Sequence, residues 1–124
     1  MDIDESAWPL VTMQWEGIPT DTELTRFLAR VDGWLDRGER FGLLVDPCGS
    51  GVLTPEQRVR TIGHMKANAE RTSRLLVQAI VIRSRVQRTL FYGINLVFPN
   101  PFPSKVFADE GPARQWIQSE LARP

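Results

Sequence analysis

Apolar positions along this chain switch repeatedly between a period of two and a period near 3.6. In residues 8–15, WPLVTMQW, Val11, Met13 and Trp15 alternate with Leu10, Thr12 and Gln14, the pattern of a strand with one wetter face. EGIPT interrupts it. Over residues 20–37 Leu24, Phe27, Leu28, Val31, Trp34 and Leu35 form one apolar stripe at helical spacing. Thr20 or Asp21 can cap the start of that helix, and Gly38 can end it. FGLLV, residues 41–45, is apolar throughout, as a central strand covered on both faces must be. Thr54 then offers an N-cap, Pro55 a first helical position and Gln57 the third-position partner of a capping box. The pattern carries this helix to about Arg71, with Val59, Ile62, Met65 and Ala69 inward.

LLVQAIVI, residues 75–82, reads as a second central strand, and Ser84 caps a helix reaching about Phe98. The three prolines of PNPFP stop that helix. SKVFA is a short last strand. Asp109 caps a final helix whose inner face is Ala113, Trp116, Ile117 and Leu121. Strands alternating with helices predict an α/β sandwich, a mostly parallel four- to five-stranded sheet with four helices, in one domain over residues 1–124. A chain of 124 residues buries roughly two thirds of its unfolded surface and folds without staples.

Composition narrows the chemistry. Hydrophobic residues are 42% and charged residues 24%, as in ordinary globular domains. Cys48 stands alone, which excludes an internal disulfide and a zinc site built from cysteines; no cofactor is expected. No leader pattern and no apolar run of ~18 residues is present, so the expectation is a cytoplasmic protein with no membrane span. The net charge of zero hides an asymmetry. Residues 1–57 hold eleven acids against four arginines, and residues 58–88 hold eight Lys and Arg against Glu70. Either the two segments neutralise each other in the fold, or a basic face meets an anion.

Three stretches are candidates for function. LLVDPCGSGVLTPEQ, residues 43–57, joins a strand to a helix through small residues. It lacks the lysine of a phosphate loop and the spacing of a nucleophile elbow. Cys48 has only His64 as an imidazole partner, ten residues into the next helix, and Ser50 has no base nearby in sequence. The stretch therefore reads as a connection, with Gly49 and Gly51 supplying backbone freedom.

FGLLVDPCGSGVLTPEQRVR, QAIVIRSRVQRTL and PSKVFADEGPARQWI together resemble the SpoIIAA-like branch of the STAS superfamily, and within it the small stand-alone bacterial domains described as STAS or Sec-fourteen-like. The resemblance covers roughly residues 8–121. It implies the SpoIIAA-like sandwich and a switch loop whose equivalents here are Asp46 and Thr54. The phosphorylated serine of the anti-sigma-factor antagonists falls on Pro55 or Glu56, which cannot accept phosphate. Likeness to lipid binders of the Sec-fourteen type implies a lipid-like ligand by analogy alone.

In the second stretch, IRSRVQR, Arg83, Arg85 and Arg88 surround a helix start capped by Ser84. Cations there oppose the helix dipole by ~0.3–1 kcal/mol each, and free backbone N–H groups suit an anion. These four residues are the candidate ligand site, beyond the carboxyl ends of the strands. The alternative is pairing with acids from the first half. The third stretch, LFYGINLVF, has seven apolar residues in nine, more than one sheet-facing stripe needs. Leu90, Phe91, Tyr92, Ile94 and Phe98 are candidates for a homodimer contact or an apolar groove; burial in the core is the third possibility.

The reading is thus a non-enzymatic binding domain that holds an apolar or anionic, lipid-like ligand and self-associates. The alternative is a regulatory module of the anti-sigma-antagonist type with a protein partner. No paired carboxylates and no nucleophile with its base point to an enzyme, and a neutral chain without a binding motif does not point to nucleic acid.

Overall fold

The structure is a computed structural model, and it describes residues 1–48, 53–97 and 99–123, the side chain of residue 48 excepted. Its strands are β1 (Asp2–Ala7), β2 (Leu10–Glu16), β3 (Phe41–Cys48), β4 (Leu76–Val81) and β5 (Ser104–Phe107). Its helices are α1 (Asp21–Asp36), α2 (Pro55–Ala67), α3 (Ala69–Leu75), α4 (Arg85–Val97) and α5 (Glu110–Leu121). The α/β class and the mostly parallel sheet are as expected. The five helices replace the expected four. The helix expected to run from Thr54 to Arg71 breaks at Asn68, whose backbone leaves the helical region (φ −112°, ψ 26°). Its side-chain amide donates to the His64 carbonyl at 3.0 Å, and Thr72 Oγ1 donates to the Met65 carbonyl at 3.2 Å. Side chains thus take over carbonyls that the helix would have used.

β1 was not legible in the pattern. Its sequence, DIDESA, is acidic where strands favour β-branched and aromatic residues. It is an antiparallel edge strand, and its partners on β2 supply the reason it forms. The Trp34 indole and the Arg30 guanidinium both donate to the Glu5 carboxylate, which ties β1 to α1. The indole first, then the guanidinium, holds that carboxyl below its ordinary pKa.

The sheet runs β1-β2-β3-β4-β5, with β2 to β5 parallel. Each parallel crossover advances one strand in the same direction. Right-handed connections then put α1, α2, α3 and α4 on one face. The side chains agree. Met13, Phe41, Leu43, Val45, Ile80 and Val106 pack with α1, α2 and α3 residues. Leu10, Leu44, Ala79 and Val81 pack on the other face with Ala113 and Ile117 of α5.

Local signals behave as read in most places. Thr20 closes a capping box with Glu23, and Gly38 follows α1 with a φ of 71°. All six stripe residues of α1 are buried. Two expectations fail. Val59 is exposed, and Gln57 takes an inward position because its amide donates to the Pro19 carbonyl at 2.7 Å. Asp109 occupies the N-cap of α5 without a side-chain capping bond.

Candidate functional site: an apolar cavity beneath α4

The face of the sheet that carries four helices is not filled. A cavity of about 340 Å³ lies between the sheet, α1, α2 and α4, a size within the ~300–1,000 Å³ of small-molecule sites. Its floor is the inward register of three parallel strands: Met13 and Trp15 of β2, Leu43 and Val45 of β3, Ile80 of β4. Alternation puts these on one face, and the in-register pairs Met13–Val45 and Val45–Ile80 make the floor continuous. Leu24 and Phe27 of α1 and Ile62 and Met65 of α2 form one wall. Phe102, between α4 and β5, closes part of the remaining side.

α4 forms the other wall. Gln87, Leu90, Phe91, Ile94 and Asn95 recur at three- and four-residue steps, which is one helical face, and all line the cavity. Yet no residue of α4 is buried. On its outer side Leu96 is 86% exposed, and Val86 and Val97, on the flank beside Leu90, are 70% exposed. The apolar excess noted in the sequence therefore splits in two. Phe91 and Ile94 turn to the cavity, with Leu90 at its rim and Tyr92 facing solvent. Phe98 lies outside the described residues.

Polar groups sit at the two ends of the lining. Arg58, one turn into α2, and Gln87, at the start of α4, lie toward the carboxyl ends of the strands, where Trp15 and Pro47 also line the wall. Gln78, Asn95 and Asn100 lie toward the opposite end. Among the described lining residues there is no carboxylate, imidazole or thiol. The Thr61 hydroxyl donates to the Gln57 carbonyl at 2.8 Å. The site can enclose an apolar body and hydrogen-bond its ends, and it presents no acid–base pair.

The arginine-rich stretch is placed differently from an open anion site. Arg83 makes a two-pronged contact with Asp46, at 2.9 and 3.2 Å, and Asp46 is only 8% exposed. Alternation along β3 turns Asp46 away from the cavity, toward the α5 face. Arg88 Nη1 donates to the carbonyls of Ile82 and Arg83, at 2.8 and 3.0 Å, so its cation closes the β4–α4 turn. Ser84 Oγ accepts from the Gln87 backbone N–H at 3.3 Å, which caps α4, and Arg85 is exposed. Part of the charge asymmetry is consumed inside the fold: among the described residues Arg71 and Arg83 reach acids of the first half. Arg71 meets Asp36 at 2.6 Å, His64 meets Asp32 at 2.8 Å, and Arg60 donates to Thr25 Oγ1 at 2.5 Å.

The hydroxyl of Thr54, the switch-loop equivalent, accepts from the Gln57 backbone N–H at 3.1 Å, and the Thr54 backbone N–H donates to Gln57 Oε1 at 3.1 Å. It acts as a cap. Ser50, Gly49, Gly51 and the Cys48 side chain lie outside the described residues, while His64 is engaged with Asp32. At the α1 end Glu23 is held at about 2, first by the Thr20 backbone N–H and then by the Met1 amino group. Among the polar lining residues, sequence reading missed Arg58, Gln78, Gln87, Asn95 and Asn100. One signal was available: Gln78 is the lone polar residue in LLVQAIVI. Arg58 gave none, being one of eight basic residues in its segment.

Comparison with family models, with curated proteins and with solved structures finds no match to this chain.

Proposed function

We propose that this chain is a non-enzymatic binding domain that holds an apolar, lipid-like molecule in the cavity beneath α4. One observation carries the reading: an apolar cavity of about 340 Å³ is floored by three central strands and walled by a helix that buries none of its own residues. An ordinary core closes such a space, because empty volume forfeits dispersion contacts with the missing atoms. A ligand restores those contacts. The helix that fails to pack is the element best placed to move aside for loading. The lack of acid–base groups in the described lining supports binding over catalysis.

The resemblance to the SpoIIAA-like branch of the STAS superfamily is supported by the order of elements, an antiparallel leading strand followed by parallel strands with crossover helices on one face. Self-association belongs to the same proposal. Leu96 on the outer side of α4, with Val86, Leu90 and Val97 on its flank, leaves apolar surface uncovered in the single chain, and a second copy is the occupant the reading calls for. Sedimentation at tens of micromolar tests it: a wild-type dimer converted to a monomer by Leu96→Asp is the expected result, and a wild-type monomer ends this part of the reading.

Nile red, a neutral apolar dye, tests the cavity. The expected outcome is saturable fluorescence with one site per chain, lost when Ile94→Trp fills the space while the fold persists by circular dichroism. Dye binding that is absent, or unchanged in Ile94→Trp, overturns the proposal.

A further inference from the structure

Arg58 is the one cationic side chain in the described lining of a mostly apolar cavity; the Met1 amino group, also at the lining, is held by Glu23 at 2.9 Å. Arg58 is half-buried. Three neighbouring basic residues have oxygen partners on α1: Arg60 reaches Thr25 and the Asp21 carbonyl, His64 reaches Asp32, and Arg71 reaches Asp36. Arg58 has no carboxylate partner among the described residues. Its guanidinium donates from Nη2 to the Leu53 carbonyl at 3.3 Å, a long contact that leaves most of its five donors unused. A guanidinium half withdrawn from water beside apolar walls gains most from a planar anion that accepts two hydrogen bonds.

The cavity adds direction. Arg58 and Gln87 are at the carboxyl ends of the strands, and Phe102 and Asn100 are at the opposite end. Gln87 and Asn95 are eight residues apart on α4, which is about 12 Å of helix. Between them the walls are Phe91 and Ile94 above and Val45 and Ile80 below. This is the shape of a slot for one extended chain with a charge at one end.

We propose that the occupant is a single-chain amphiphile with an anionic head, a carboxylate or a phosphate monoester, whose head is bound by Arg58 and whose chain runs beneath α4 toward Phe102. The proposal rests on the binding reading above and adds the chemistry of the head and its orientation. Gln87 offers the head a second donor. The four-residue cluster singled out in the sequence, Arg83 to Arg88, takes no part, since Arg83 and Arg88 are engaged with Asp46 and with backbone carbonyls.

The test compares three ligands of one chain length that the slot can hold, decanoate, monodecyl phosphate and 1-decanol, by displacement of Nile red from wild type and from Arg58→Gln. At least one anion should bind wild type tenfold or more tightly than the alcohol. Arg58→Gln should bring that anion down to the alcohol's level and leave 1-decanol within twofold, which also shows that the variant is folded. The tighter of the two anions identifies the head. If the alcohol binds wild type as tightly as both anions, or if Arg58→Gln weakens all three ligands equally, the assignment of the head to Arg58 is wrong while the apolar cavity reading stands. If Nile red binds and none of the three displaces it, the amphiphile assignment is wrong while the cavity reading stands; if Nile red itself does not bind, both fall.

Discussion

α4 and α5 each border the same sheet, and they treat it in opposite ways. α5 is the less apolar helix, yet it buries Ala113 and Ile117 completely. It comes so close that a Cβ placed on Gly42 of β3 would lie 2.1 Å from Ile117 Cγ2. α4 is the more apolar helix and has no fully buried residue, only Phe91 packing partly buried against the core. Helix apolarity alone therefore does not set how deeply a helix docks. α5 docks because the sheet offers it a glycine and an alanine, Gly42 and Ala79, beneath small and β-branched side chains. α4 faces a floor of larger residues and carries Gln87 and Asn95 on its inward side, where contact with the sheet would strand their amides.

The largest expected effect lies in direct truncation. Ile117→Ala on α5 should cost about 3 kcal/mol, since it opens a hole in a closed contact. Ile94→Ala on α4 should cost less than about 1 kcal/mol, because the residue borders space that is already empty. Urea unfolding of both variants decides it, and equal losses would abolish the contrast.

Gly42→Ala sharpens the α5 side. The added methyl should cost about 2 kcal/mol by overpacking against Ile117. The loss should shrink in an Ile117→Ala background, and a double-mutant cycle measures that coupling. Additivity within error would mean that the close approach of α5 is not what glycine supplies.

Ile94→Trp works from the α4 side. Filling the cavity should raise stability by about 1 kcal/mol while removing dye binding. A clear loss of stability would show that α4 is already packed to its limit.

The smallest effect asks whether the whole helical layer is loose or only α4. Glu5 ties β1 to Trp34 and Arg30 of α1. Its carboxyl is lowered in the fold, so its contribution is complete above the unfolded carboxyl range near 4.3 and is lost as pH falls through the lower, folded value. Glu5→Gln should cost about 1 kcal/mol at pH 7, partial exposure having reduced the figure. It should also flatten the acid limb of the stability profile between wild type and variant. An unchanged acid limb would mean that α1 is not anchored there.

Much of the fold was legible because its signals are local. The α1 stripe from Leu24 to Leu35 repeats at helical spacing, and all six residues are buried. Thr54, Pro55 and Gln57 mark a helix start through bonds made within four residues. β1 was not legible: an acidic edge strand is stabilised by β2 and α1, not by its own preferences. The break at Asn68 was hidden for a related reason, since apolar spacing carries on through a residue whose side chain captures a carbonyl. The site was half legible. The excess of apolar residues on α4 was visible, and so was the choice between core, groove and partner, but spacing cannot say which side of a helix meets empty space.

What the sequence determined by itself is the alternation of strands and helices, the capped starts of α1 and α2, and the existence of an over-apolar helix before PNPFP. These follow from side-chain periodicity and from capping chemistry within a few residues. Only the tertiary structure decided which charges cancel, that Arg83 is taken by Asp46 while Arg58 faces a cavity, and that α5 seats on Gly42 while α4 stands off. Those outcomes depend on residues far apart in the chain meeting at a few ångströms, where one glycine or one amide changes the distance at which two elements can pack.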